Sequence, residues 1–92
     1  MIRDFRHKGL ERFFLTGKTA GIQPAHAARL RRQLSALNEA SAPQAMNIPG
    51  WRLHRLKGDL KDHWSVWVSG NWRMTFTFEG PDAILVDYRD YH

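Results

Sequence analysis

The second half of this sequence carries the side chains that breaking an RNA backbone requires. They are the imidazoles of His54 and His92, the cations of Lys57 and Arg73, and the phenol of Tyr91. In such a reaction a base takes the proton of a 2′-hydroxyl, which attacks the adjacent phosphate. Cations hold the charge on the phosphorane oxygens, and an acid protonates the departing 5′-oxygen. Histidine, with an ordinary pKa near ~6.5, serves either proton-transfer role at neutral pH. Arginine or lysine supplies the electrostatic part, and an aromatic ring stacks a base drawn out of line. Asp90, beside Tyr91, could orient an imidazole or an arginine. No step of this scheme calls for a metal or a cofactor. The residue types alone do not settle the matter: His54 reads equally as an exposed strand histidine, Arg73 as a cross-strand partner of Asp87 or Glu79, and Asp90-Tyr91-His92 as a tail.

The surroundings of these residues are basic. Arg52, Arg55, Lys57, Lys61 and Arg73 face only Asp59 and Asp62 before Glu79 is reached. Over all 92 residues, fourteen Lys and Arg against nine Asp and Glu give a net charge of +5. Such a balance, with four tryptophans, five phenylalanines and two tyrosines, favours a polyanionic partner. The chain has no cysteine, which removes disulfides, thiolate zinc sites and cysteine nucleophiles and fits a reducing cytoplasm. It has no glycine-rich phosphate loop, no His-x-x-x-His pair and no serine nucleophile elbow. The longest apolar run, Ala83 to Val86, is far short of the ~20 residues of a membrane span. Charges at Arg3, Asp4 and Arg6 stand where a signal peptide would need its apolar stretch.

The length fits one domain, residues 1–92, and the apolar period changes once along it. Met1 to Phe5 reads as a short strand. Arg6 to Thr16 reads as a helix with Leu10, Phe13 and Phe14 at helical spacing and Gly17 closing it. Pro24 opens a second helix that runs to about Ala40, with Ala27, Leu30, Leu34 and Leu37 as its apolar stripe. Arg29, Arg31, Arg32 and Gln33 lie off that stripe, toward water or a partner. After Pro43, Pro49 and Gly50 the period becomes two. Strands are predicted over Trp51–Lys57, His63–Ser69, Trp72–Phe78 and Ala83–Tyr88, with tight turns at Gly70-Asn71 and Gly80-Pro81-Asp82. The fold class is therefore α+β, with two N-terminal helices packed on one face of a curved antiparallel sheet of four to five strands.

Alternation also assigns faces. Trp51, Leu53, Trp64, Val66, Val68, Trp72, Met74, Phe76 and Phe78 turn toward the helices. Arg52, His54, Ser65, Trp67, Arg73 and Thr75 occupy the open side. Leu56 shares the parity of His54 and fits the open side poorly, unless the strand ends or bulges near Lys57. Trp67 is expected to be exposed, free to stack on RNA or meet a partner, and Arg52, Arg55 and Lys61 join it as candidate RNA contacts. His7, His26 and His63 read as surface or satisfied histidines.

The same segments resemble a known family. Ile2 to Phe5, His7-Lys8-Gly9-Leu10, Gly17-Lys18-Thr19, Leu53-His54-Arg55-Leu56-Lys57-Gly58-Asp59, Trp64-Ser65-Val66, Asn71-Trp72-Arg73-Met74-Thr75-Phe76 and Asp90-Tyr91-His92 are similar, in order and spacing, to the HigB toxins of bacterial toxin–antitoxin modules, members of the RelE superfamily. The likeness covers essentially the whole chain. It implies a RelE-like fold and a ribosome-dependent messenger-RNA endonuclease of the cytoplasm that attacks through the 2′-hydroxyl without metal. His54, Lys57, Arg73, Asp90, Tyr91 and His92 would then form its catalytic surface. The implied partners are the bacterial ribosome with its message and a HigA-like helix-turn-helix antitoxin, with DNA met only through that antitoxin. Trp67 and Ser69 depart from the arginine and asparagine that relatives commonly carry there. The competing readings are a noncatalytic RNA- or ribosome-binding translation inhibitor and, last, a binding subunit of a repressor complex.

Overall fold

A computed structural model describes residues 1–91 of the chain. Helix α1, Lys8–Thr16, starts two residues later than the sequence predicts because His7 caps it: its Nδ1 accepts from the Leu10 N–H at 2.9 Å. Gly17, in the left-handed region at φ 79°, ends the helix as expected. Helix α2, Ala27–Glu39, follows one 3-10 turn over Pro24–His26. The glycines of α1 and the intervening loop let two backbones touch. A Cβ added at Gly9 would lie 2.7 Å from the Gly21 carbonyl oxygen, and one at Gly21 would lie 2.5 Å from the Gly9 Cα.

Four strands follow in simple sequential order: β1 His54–Arg55, β2 Trp64–Ser69, β3 Trp72–Glu79 and β4 Asp82–Asp90, each antiparallel to its neighbour. The predicted N-terminal strand is present only as two parallel bridges, Ile2 to Ala83 and Phe5 to Val86, along the outer edge of β4. Asp4 fixes that edge. Its Oδ1 accepts from the Leu85 N–H at 2.5 Å, where Leu85 stands in the left-handed region at φ 54° within a bulge between β3 and β4.

The helices and the sheet bury one core. Leu10 and Phe13 of α1 and Leu30, Leu34 and Leu37 of α2 meet Val66, Val68, Met74, Phe76, Ala83, Val86 and Tyr88 of the sheet, with Met46 and Trp51 closing one end. This matches the alternation read from the sequence at β2 and β3. Two assignments change. Gln33, expected off the stripe, is fully buried, and its Nε2 donates to the Trp67 carbonyl at 2.9 Å. Arg29 beside it is half-buried and donates to the carbonyls of Trp67 (3.2 Å) and Gly50 (2.6 Å). Both serve as polar ties from α2 to the sheet edge, satisfying carbonyls that β1 is too short to reach.

β1 itself is two residues rather than seven. Gly50 at φ 87° and Arg52 at φ 50° are both left-handed, which no extended ladder tolerates. The kink sends Trp51 into the core and breaks the parity between Trp51 and Leu53.

At the far end of the sheet, Tyr88 is buried in an aromatic cluster. Trp72 stacks on it at 4.5 Å, His7 meets it edge-on at 5.3 Å, and His26 Nδ1 lies 2.6 Å from its hydroxyl. Partial burial pushes the His26 pKa below its ordinary value and the Tyr88 pKa above it.

Two outcomes follow from these ties. Asp4→Ala removes the acceptor of a strained N–H and should cost about 1 kcal/mol, read as a lower urea midpoint at unchanged slope. His26 is held more neutral in the folded than in the unfolded chain, so its contribution is complete above the unfolded pKa near ~6.5 and declines as pH falls through and below that value. Melting temperatures should therefore drop more between pH 7.5 and 5.5 for the wild type than for His26→Gln.

Candidate active site

The sheet face away from the helices holds a groove of about 470 Å³ lined by Arg52, Leu53, His54, Leu56, Ser65, Arg73 and Tyr91. Cross-strand register assembles it. His54 on β1 stands opposite Ser65 on β2, Ser65 opposite Thr75 on β3, and Thr75 opposite Asp87 on β4. The neighbouring row is Trp67, Arg73 and Arg89. Ser65 and Thr75 are only 3% and 2% exposed, so they form a closed floor, and the longer side chains around them make the walls. Leu56 lies on this face after all and supplies an apolar wall. Its N–H still bonds the His63 carbonyl at 2.9 Å, though the regular strand has ended. Leu53, expected to face the helices, touches the core and also reaches the groove because of the kink at Arg52.

Arg73 is a cation of the site without a carboxylate partner among the described residues. It is half-buried and makes only long contacts, at 3.5 and 3.4 Å, to the carbonyls of Gly70 and Trp72. The carboxylates that might have neutralised it are engaged elsewhere: Glu79 with Arg3, and Asp87 with Arg89 at 3.0 Å. Directly across the ladder stands Arg89, a like charge that strands avoid unless something compensates it. Asp87 compensates Arg89. Arg73 has no ion-pair partner among the described residues, so its charge is not neutralised within the sheet. The neighbouring Tyr91 hydroxyl, and after it Asp87, hold the Arg89 pKa above its ordinary value against the effect of partial burial. That hydroxyl is buried and has no partner in hydrogen-bonding geometry among the described residues, while the Tyr91 ring lines the groove.

Arg89 is absent from the set read off the sequence. The last strand was expected to stop at Tyr88, whereas β4 runs to Asp90. Carrying the alternation of Asp87 two residues further would have placed Arg89 beside Arg73.

The other predicted residues separate. Lys57, Arg55 and Lys61 line a second cavity of about 350 Å³ with Leu56 and Gly58, so Leu56 divides it from the groove. Arg55 is held there by Asp62 at 2.7 Å. Asp90 pairs with Trp72 across the ladder and therefore shares the helix-facing side of the sheet end, opposite to the groove. Trp67 is half-buried rather than open, with the Arg52 guanidinium 4.3 Å from its ring centroid. His92 lies outside the described residues. No group of three or more His, Asp or Glu side chains suited to a metal ion occurs among the described residues.

A groove with one imidazole, two arginines and a tyrosine, floored by small hydroxyl residues, is suited to an anionic chain with aromatic substituents. Known proteins point the same way. The HigB-like toxin family, described as the RelE-like toxin of the type II toxin–antitoxin system HigB, matches residues 3–92. The chain is also 40% identical over 92 residues to the Endoribonuclease HigB of Proteus vulgaris, covering all of both proteins. A match that takes in both helices and all four strands, with identity of this order along the full length, shows that the chain belongs to the HigB-like family of RelE-like type II toxins.

Proposed function

We propose that this protein is a ribosome-dependent messenger-RNA endonuclease, the toxin of its module, which cuts messages in the ribosomal A site by 2′-hydroxyl attack without a metal. The observation that carries this reading is the groove, where His54, Arg52, Arg73 and Tyr91 converge from segments up to 39 positions apart on the face that the helices leave uncovered.

Within it, the 2′-oxygen bonds to phosphorus as the P–O5′ bond breaks, leaving a cyclic phosphate and a 5′-hydroxyl. His54 and His92 share the two proton transfers, one taking the 2′-hydroxyl proton and the other delivering a proton to the 5′-oxygen. His92 enters this scheme through the family resemblance. Arg73 stands where charge develops on the phosphorane, and the Tyr91 ring offers a stacking surface beside it. Lys57, with Arg55 and Lys61, lies across Leu56 and contacts the flanking backbone rather than the scissile phosphate. Asp90 acts from the opposite side of the sheet end, through the placement of the residues that follow it. The groove supplies cations and proton transfer, and the ribosome provides the distortion that brings the strand into line. In the cell the partners are the bacterial ribosome and a HigA-like helix-turn-helix antitoxin in the cytoplasm, with operator DNA reached only through that antitoxin.

Purified protein on ribosomes programmed with a defined message, with new 5′ ends mapped, tests the reading. Cuts within translated codons and weak or absent cutting of the same RNA free in solution are expected. Arg73→Ala should lower the single-turnover rate about a hundred- to a thousandfold with the melting temperature nearly unchanged. His54→Ala and His92→Ala should each slow the reaction and flatten one limb of its pH profile. Blocked translation with intact messages would instead establish the noncatalytic inhibitor.

A further inference from the structure

The outer edge of β2 carries a tryptophan whose surroundings leave it little freedom. The Trp67 N–H donates to the Trp51 carbonyl at 2.7 Å, and its own carbonyl accepts from Arg29 at 3.2 Å and Gln33 at 2.9 Å. Its indole Nε1 donates to the Gly70 carbonyl at 2.9 Å. Helix α2, the preceding segment and the β2–β3 turn thus each hold one polar group of this residue. Two guanidinium groups lie over the ring, Arg52 at 4.3 Å and Arg29 at 5.1 Å from its centroid. Arg29 is spent on carbonyls. Arg52 is different: it lines the groove, sits on a left-handed backbone at φ 50°, and has neither ion pair nor side-chain hydrogen bond among the described residues.

We infer that Trp67 is a positioning residue, a fixed pedestal that holds the Arg52 guanidinium at the mouth of the groove as a binding site for an RNA phosphate next to the scissile one. The inference rests on the RNA-cleavage reading. A guanidinium held over an aromatic ring by a cation–π contact still offers N–H groups that can fork onto phosphate oxygens, which an ammonium cannot do. The left-handed backbone of Arg52 is a conformational cost that the fold carries at the mouth of the groove. Trp67 therefore works through Arg52 and not as a stacking platform for a base, since a base would have to displace that cation first.

The test compares wild type, Arg52→Lys, Trp67→Leu, Trp67→Phe and the Arg52→Lys/Trp67→Leu double variant on programmed ribosomes, measuring cleavage rate against protein concentration. Arg52→Lys and Trp67→Leu should each raise the half-saturating concentration about three- to tenfold with the maximal rate nearly kept. Trp67→Phe, which retains a π face, should recover most of the loss. The double variant should be no worse than either single one, as two residues acting in series require. Additive losses, or a Trp67→Leu loss well beyond that of Arg52→Lys, would mean that the ring meets RNA directly. A lowered melting temperature with a reduced maximal rate in Trp67→Leu, and no effect of Arg52→Lys, would reduce Trp67 to a structural residue. If the wild type cuts nothing, the cleavage reading fails by itself. Binding of the same variants to programmed ribosomes then decides the pedestal.

Discussion

Everything functional here depends on the two-residue period of a sheet that is buried on one side. Val66, Met74 and Tyr88 lie in one cross-strand row and enter the core. The adjoining row, Trp67, Arg73 and Arg89, must then point the other way. Sliding one strand by a single residue would exchange the rows, putting guanidinium groups under the helices and apolar side chains in the groove. The energy that prevents this slip is hydrophobic burial, which has no part in binding or cutting RNA. Core packing is thus the device that aims the cations.

The exceptions to that regular period are as informative as the rule. Left-handed residues at Gly50 and Arg52 make β1 begin late, and the bulge at Leu85 re-aims the second half of β4. The first exception brings Leu53 to the groove and leaves the carbonyls of Gly50 and Trp67 in need of donors, which α2 supplies through Arg29 and Gln33. A helix that packs on one face of the sheet therefore also steadies a residue at the mouth of the other face. The two layers are coupled at one edge by polar ties and across the middle by apolar contact.

Much of this was legible from composition and spacing alone. The helical spacing of Leu30, Leu34 and Leu37, and the alternation through Trp72, Met74 and Phe76, located α2 and β3 with little error. They also placed His54 and Arg73 together on the uncovered side. What could not be read had local physical causes. The period of Trp51 to Lys57 looks like a strand, because nothing in residue types announces that Arg52 adopts a positive φ. Gln33 reads as polar and outward until a carbonyl without a ladder partner is known to lie above it. Trp67 reads as exposed because Arg52 and Arg29, 15 and 38 positions away, cover it only in three dimensions. Asp90 and Tyr91 are adjacent in sequence, and that adjacency in an extended strand is what puts them on opposite faces. Membership in the HigB-like family rests on the full span of matched residues and not on any of these local readings.

The pairing of Ile2 and Phe5 with Ala83 and Val86 ties segments 81 positions apart along the chain. While a growing chain still lacks residues 82–90, β3 has an open edge and the segment before α1 has nothing to lie against. The row that carries Arg73 is also missing its outer member. A polypeptide cut short before this point lacks Tyr91 and the strand that lies beside Arg73, so it cannot complete the groove.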